Sequence, residues 1–359
     1  MRNNLFKFLL LALCSLLLVS CASNKKEEVS NTESKEVATT SSNKLIVYSN
    51  AVSSGRGEAM KEFFSKHGLE VEFVDLGGNA LSNRLVAEKN APIADAVFGL
   101  NEMVFRQIEA QAPGIWKEFT PAWKADLEAS SIPEGGRFYP VNEARVFMIY
   151  DAAKITSPVK DWLDAANNAS LKEKYLVPNS LGGQTAIAIV YNNLLNYVDT
   201  NGDLNISEDG WKALETYFAN GVTPSEGKTP ITELVEGKVD YSYTWLSNVP
   251  LVEKEYGIKL GVVNPPYGVA QTFEQVGIIN KENVKPEAQK FADLLGDPEL
   301  MAIMAEKFGF VPANTKAKGS INPRVLEILD NTTPQKTDFN FVGSNVDKWV
   351  EKIELNYLR

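Results

Sequence analysis

Two cysteines and one histidine are all that this sequence of 359 residues offers in the way of soft or imidazole ligands. Cys14 and Cys21 both lie at the N-terminus, so no cysteine is left to pair or to bind metal in the rest of the chain. His67 stands alone just before Gly68, where it reads as the end of a helix. These scarcities exclude a disulfide framework, a zinc cluster, Cys/His dyads and most catalytic triads. Neither Gly-x-Ser-x-Gly nor Gly-x4-Gly-Lys-Ser/Thr occurs. Positive charge is also short: 36 Lys and Arg stand against 46 Asp and Glu, a net charge of −10. No basic stripe offers a nucleic-acid surface. The longest apolar stretch, Phe8 to Val19, is interrupted only by Ser15 and is too short to span a bilayer comfortably. We expect no catalysis, no cofactor, no metal and no nucleic-acid partner.

What is present at the N-terminus is an address. Arg2 and Lys7 precede the apolar stretch, as in a secretory signal peptide. Leu18-Val19-Ser20-Cys21 then resembles the lipobox of bacterial lipoproteins, which implies cleavage after residue 20 and acylation of Cys21. The competing reading is an ordinary signal with a chance cysteine. Residues 22–43 are mostly Ser, Thr, Asn, Lys and Glu, a composition with little to bury that suits a tether between membrane and domain. Loss of Arg2 and Lys7 with the signal leaves about −12 on the remainder.

From Lys44 onward the apolar pattern switches between periods of two and 3.6 residues. KLIVYSN, LEVEFVDLGG and ADAVFGLN read as strands; GEAMKEFFSKHG, ALSNRLVAEKN and EMVFRQIEAQ read as the helices between them. That alternation predicts a mostly parallel α/β sheet. A second unit begins at YLVPNSLGGQTAIAIVYNNLL, again a strand, a small-residue turn and a helix. Two long extended segments, near 138–150 and 260–280, join the units. The chain therefore reads as two lobes of mixed, mostly parallel sheet flanked by helices, with two hinge crossovers: lobe 1 from 44–142 and 277–359, lobe 2 from 143–276.

In open α/β sheets ligands sit beyond the carboxyl ends of the strands. Those ends here are turns of small and polar residues. The first, with Ser49, Asn50, Ser53, Ser54 and Arg56, combines free helix-start N–H groups with a fixed positive charge, which suits phosphate, phosphonate or carboxylate. Asn179, Ser180, Gly183, Gln184 and Thr185 repeat the design in the second unit. Gly78 with Asn79, and Asn101, close two more strands of the first lobe. Plain capping or turn chemistry is the alternative at each. In DYSYTWLSN, alternation puts Tyr241, Tyr243 and Trp245 on one face, either an aromatic wall for a ring or cation, or core. Tyr267 and Gln271, with Thr272 and Glu274 beside them, lie on the second crossover, and Arg145 on the first; each is a ligand contact or merely an edge residue. DTNGDLNISEDGW has Asp199, Asn201 and Asp203 in alternation like a calcium loop. Leu204 stands where that loop needs Gly and Gly210 where it needs Glu, so it reads as a surface turn followed by a helix capped at Ser207.

LIVYSN, NRLVAEKNAPIADAVFGLN, ARVFMIYD, EGKVDYSYTWLSN and FGFVPAN together resemble the type II periplasmic-binding-protein fold, a two-lobed Venus flytrap. Within it the chain is similar to the cluster of ferric-iron, thiamine, and phosphonate or sugar-phosphate binders. The resemblance spans 44–359 and implies an extracytoplasmic, monomeric solute-binding component of an ABC importer, held to the bilayer through Cys21. Its partners would be a permease, the permease's ATPase and a small polar solute. A phosphate- or phosphonate-bearing or thiamine-like ligand fits the turns best. Ferric ion or a polyamine, and an enzyme on the same scaffold, are the rival readings. The ferric binders use adjacent tyrosines, whereas Ser242 separates Tyr241 from Tyr243 here, a departure from that pattern which places ferric ion below an organic ligand.

Overall fold

A computed structural model describes residues 44–358. Cys14, Cys21, the signal and the tether lie outside the described residues. The first half-dozen elements follow the sequence rhythm closely: β1 (Leu45–Ser49), α1 (Arg56–Lys66), β2 (Val71–Asp75), α2 (Gly78–Ala87), β3 (Ala96–Phe98) and α3 (Glu102–Gln111). β1 pairs in parallel with β2 on one side and β3 on the other. Each strand is largely apolar and each helix turns an apolar stripe inward, such as Met60, Phe63 and Phe64 of α1.

A two-residue strand, β4 (Trp116–Lys117), leads to the long β5 (Phe138–Asp151). The second half then supplies α4 (Trp162–Asn167), α5 (Gln184–Leu194), β6 (Val198–Asp203), α6 (Glu208–Asn220), α7 (Pro230–Val235), β7 (Tyr241–Trp245), α8 (Val249–Tyr256) and β8 (Leu260–Val262). β9 (Ala270–Ile279) returns, followed by α9 (Pro286–Leu295), α10 (Pro298–Phe308), α11 (Pro323–Asp330) and α12 (Phe339–Asn356).

The two extended segments foreseen as crossovers are β5 and β9, and they pair with each other antiparallel over most of their length. β9 also pairs with β3, and β5 with β7 and β8, all antiparallel. The main strand order is β2-β1-β3-β9-β5-β7. Among the described strands, parallel ladders are confined to β1, β2 and β3; the other parallel pairings are single bridges. The sheet has fewer parallel pairs than the rhythm suggests because its two longest strands are the crossovers, which run opposite to each other. A register shift at Pro140/Asn142 marks where proline breaks the β5–β9 ladder.

His67 ends α1, with Nδ1 2.9 Å from the Phe63 carbonyl oxygen. Asp199–Asp203 is a turn-and-strand at the surface, and Ser207 Oγ caps α6 by accepting from Gly210 N at 3.3 Å. Among the described residues no group of three His, Cys, Asp or Glu side chains could hold a metal ion, and no helix is long and apolar enough to cross a membrane.

Candidate functional site

The carboxyl ends of β1, β2 and β3 open onto a cavity of about 350 Å³. From the first half of the chain it is lined by Asn50, Ser53, Arg56, Gly77, Gly78 and Asn101. Opposite stand Gly183, Gln184, Thr185, Ala188 and Tyr191 of the α5 start, with Trp245, Leu246 and Ser247 after β7. The floor is the crossover pair: Asn142, Ala144 and Val146 of β5, and Thr272 and Glu274 of β9. The two walls meet. Asn101 Nδ2 donates to Gln184 Oε1 at 3.5 Å, and Gly78 lies so close to Gln184 that a Cβ there would be 3.4 Å from Gln184 Nε2.

Four helices start at this cavity; α3 is capped by Asn101, and the other three lack a side-chain cap. α1, α2 and α5 begin after Gly55, Gly77 and Gly183 respectively, with no capping hydrogen bond. α8 and α9 also lack one, whereas a side chain does that work at α3 (Asn101), α4 (Asp161), α6 (Ser207) and α10 (Asp297). At α2 and α5 the first-turn N–H groups have no partner among the described residues, whereas at α1 Arg56 N and Gly57 N donate to the Ser53 and Val52 carbonyls; all three starts keep a partial positive charge. Gly55 sits at φ +83°, so the turn into α1 needs a residue free of Cβ strain. Gly99 is held for a different reason: a Cβ there would lie 2.5 Å from Asn50 Oδ1.

The side chains around the cavity are also left waiting. Asn50 Oδ1, Arg56 Nε, Gln184 Nε2, Tyr191 OH and Thr272 Oγ1 are buried with no hydrogen-bond partner among the described residues. Buried polar atoms are ordinarily paired, so five orphans on one cavity mark a place where something else completes them. Arg56 rests over the Phe310 ring, 5.5 Å from its centroid, which fixes the guanidinium at the cavity wall. Burial pushes the Glu274 carboxyl above the usual carboxylate range, against the opposing pull of the Asn142 hydrogen bond and of Arg56. Asn142 is itself locked: its Nδ2 donates to Glu274 Oε2 at 2.9 Å and its Oδ1 accepts from Val311 N at 2.7 Å.

Nine residues foreseen from the sequence line the cavity: Asn50, Ser53, Arg56, Gly78, Asn101, Gly183, Gln184, Thr185 and Trp245. Eight do not. Ser49 is fully buried, and its Oγ accepts from Ala51 N to shape the turn. Ser54 is exposed at φ +58°, beside the cavity rather than on it. Asn79, Asn179 and Ser180 are exposed around the mouth, with Ser180 Oγ accepting from Gly182 N. Tyr243 packs into the core beside Tyr241, and only Trp245, 42% exposed, emerges from that strand face into the cavity. Burial raises the Tyr267 hydroxyl pKa well above its usual value; the charge neighbouring it most closely is that of Asp161, at the α4 start and away from the cavity.

Gln271 is off by one position. Strand alternation sends Thr272 and Glu274 into the cavity, and Gln271 to the opposite face, where Nε2 donates to Glu143 Oε1 at 2.7 Å. Arg145 is on that face too, donating to Glu143 and to the Thr332 carbonyl and hydroxyl, and so serves the fold. Tyr191 and Asn142 were not foreseen. Tyr191 follows Gln184 and Ala188 at i+7 and i+3 spacing on one face of α5, a signal that the helix start alone does not carry.

Comparison with known proteins gives the family and the fold. The family model described as bacterial extracellular solute-binding protein matches residues 58–323. The protein named Probable ABC transporter periplasmic-binding protein y4fP, from Sinorhizobium fredii, is 26% identical over 304 residues, covering 84% of this chain and 83% of its own. Among solved structures, a ferric binding protein from Campylobacter jejuni superimposes with a TM-score of 0.71 at 15% identity, covering 88% of this chain and all of its own. The periplasmic binding protein AfuA of Actinobacillus pleuropneumoniae, with exogenous fructose-6-phosphate bound, gives 0.69 at 18% identity, covering 88% of this chain and 99% of its own. The fold is that of the type II periplasmic binding proteins.

Proposed function

The chain belongs to the family of bacterial extracellular solute-binding proteins, and from that premise we propose that it is the solute-binding component of an ABC importer that captures a phosphate- or phosphonate-bearing ligand. The observation that carries the ligand class is the convergence of three uncapped helix starts and the unpartnered Arg56 Nε on one cavity. The α2 and α5 starts offer free N–H groups, α1 adds the Arg56 side chain, and each start carries a partial positive charge, to which an anion is the natural complement. Trp245 at the mouth is the wall against which a ring would lie.

In this reading, lobe 1 (44–142 and 277–359) and lobe 2 (143–276) close over the ligand about the β5–β9 crossovers. Ligand that touches both walls binds the closed state better than the open one, so binding shifts the population toward closure. The permease and its ATPase then receive the closed form, and the solute leaves unchanged. Acylated Cys21 holds the monomer at the membrane.

A thermal-shift panel tests the ligand class. It would include hexose phosphates, phosphonates, thiamine and its phosphates, ferric citrate and polyamines. A ligand at about a hundred times its Kd adds about 2.7 kcal/mol to native stability. We expect a phosphoryl compound to raise the melting temperature. If only ferric citrate or a polyamine does so, the phosphoryl reading is wrong.

A further inference from the structure

The polar groups of the cavity are not all of one kind. Helix starts, Arg56 Nε and Gln184 Nε2 are donors and ask for an acceptor-rich group. Glu274 is an acceptor. It stands on the cavity floor two positions after Thr272 and opposite Asn142 in the β5–β9 ladder. Asn142 Nδ2 reaches only Oε2, and no hydrogen bond within the described residues reaches Oε1. Asn142 cannot turn away to satisfy the second oxygen, because its own Oδ1 is tied to Val311 N. Arg56 is close enough to bias the Glu274 charge but makes no ion pair with it. Tyr191, 1% exposed with an unpartnered hydroxyl, lines the same chamber.

A bare oxyanion would fit the helix starts and leave Glu274 facing like charge. The site is therefore matched to a ligand with two chemistries. Resting on the phosphoryl reading above, we propose that Glu274 is a specificity residue: it selects ligands that carry a hydrogen-bond donor, a hydroxyl or an ammonium, alongside the anionic group. A site built to pair a ligand hydroxyl rejects the analogue that lacks it, because the site's own polar group is then stranded.

Matched probes read this directly. Calorimetric titration would compare glycerol 3-phosphate with propyl phosphate, and 2-aminoethylphosphonate with ethylphosphonate. The wild type should prefer the donor-bearing member of at least one pair by about ten- to a hundredfold. Glu274→Gln keeps an oxygen for Asn142 but presents an amide donor to the ligand. It should weaken the donor-bearing probe, strengthen the donor-lacking one and bring the ratio toward one. A melting curve of the variant separates this from misfolding, and Glu274→Asp, which keeps the charge, should retain part of the preference. A wild type that binds phosphoryl probes with no donor preference, or a folded Glu274→Gln with the preference intact, overturns the inference and leaves the phosphoryl reading standing. A wild type that binds none of the four probes, nor any in the thermal-shift panel, overturns both.

Discussion

The two ends of the β1–β3 strands are finished in opposite ways. At the amino end, just before β3, Asp95 is fully buried and its charge is matched: Lys281 Nζ is 2.7 Å from one oxygen, Lys285 Nζ 3.0 Å from the other, and Ile46 N donates at 2.8 Å. At the carboxyl end, Asn50, Arg56 and Glu274 surround a chamber in which donors and acceptors lack partners. The Asp95 end spends its polar groups on the fold. The chamber end leaves several of its polar groups without partners in the fold. The titration of the two carboxyls records the same contrast. Burial works against the charge of Asp95, but the Ile46 N–H and the two ammoniums outweigh it and hold the carboxyl below its usual range. At Glu274 burial wins and the carboxyl is pushed up.

The largest effect that would break this contrast is at the Asp95 end. Asp95→Asn strands two lysines and should cost about 3 kcal/mol in urea denaturation while leaving ligand affinity unchanged. The pH dependence follows from the sign of each shift. The stability contributed by Asp95 is present above its unfolded pKa and is lost as pH falls through the lower folded value. Glu274 has the opposite sign: its contribution is present at low pH and lost as pH rises through the raised folded value. Denaturation between about pH 3 and 7 should therefore give Asp95→Asn a weaker acid loss than wild type. Glu274→Gln should remove a contribution of the reverse slope.

At the chamber end the expected losses are in binding. Gly183→Asp supplies α5 with the cap it lacks, and the extended backbone at φ −110° accepts the side chain. Affinity for a hexose phosphate should fall about ten- to a hundredfold, because the helix-start donors are consumed and a like charge is added. Stability should rise by a few tenths of a kcal/mol. Arg56→Ala should weaken the same probe about tenfold with no loss of stability, and Arg56→Lys should recover part of it. The smallest effect is the control. Ser207→Ala uncaps α6, far from the chamber, and should cost about 1 kcal/mol of stability with affinity unchanged.

The legible part of the site was the part that local rules govern. A strand ending in small residues before a helix announces its own turn, and the starts at Arg56, Gly78 and Gln184 were found that way. The crossovers were visible as long extended runs, yet their phase was not. Period two says that alternate residues share a face, but nothing local says which set faces the cavity, so Gln271, Thr272 and Glu274 stood as candidates together. Tyr243 and Trp245 share a face that is core at one end and cavity at the other, a boundary set by the elements packed over it. Asn142 became visible only through its bond to Val311, 169 positions away in the chain.

In the proposed function the uncapped helix starts hold an anion. Calorimetric titration of wild type and Gly183→Asp with the phosphoryl compound that most raises the melting temperature tests it most directly. The account predicts saturable one-to-one binding by the wild type and at least a tenfold loss in a variant that melts no lower. Equal affinity in the two proteins would contradict it.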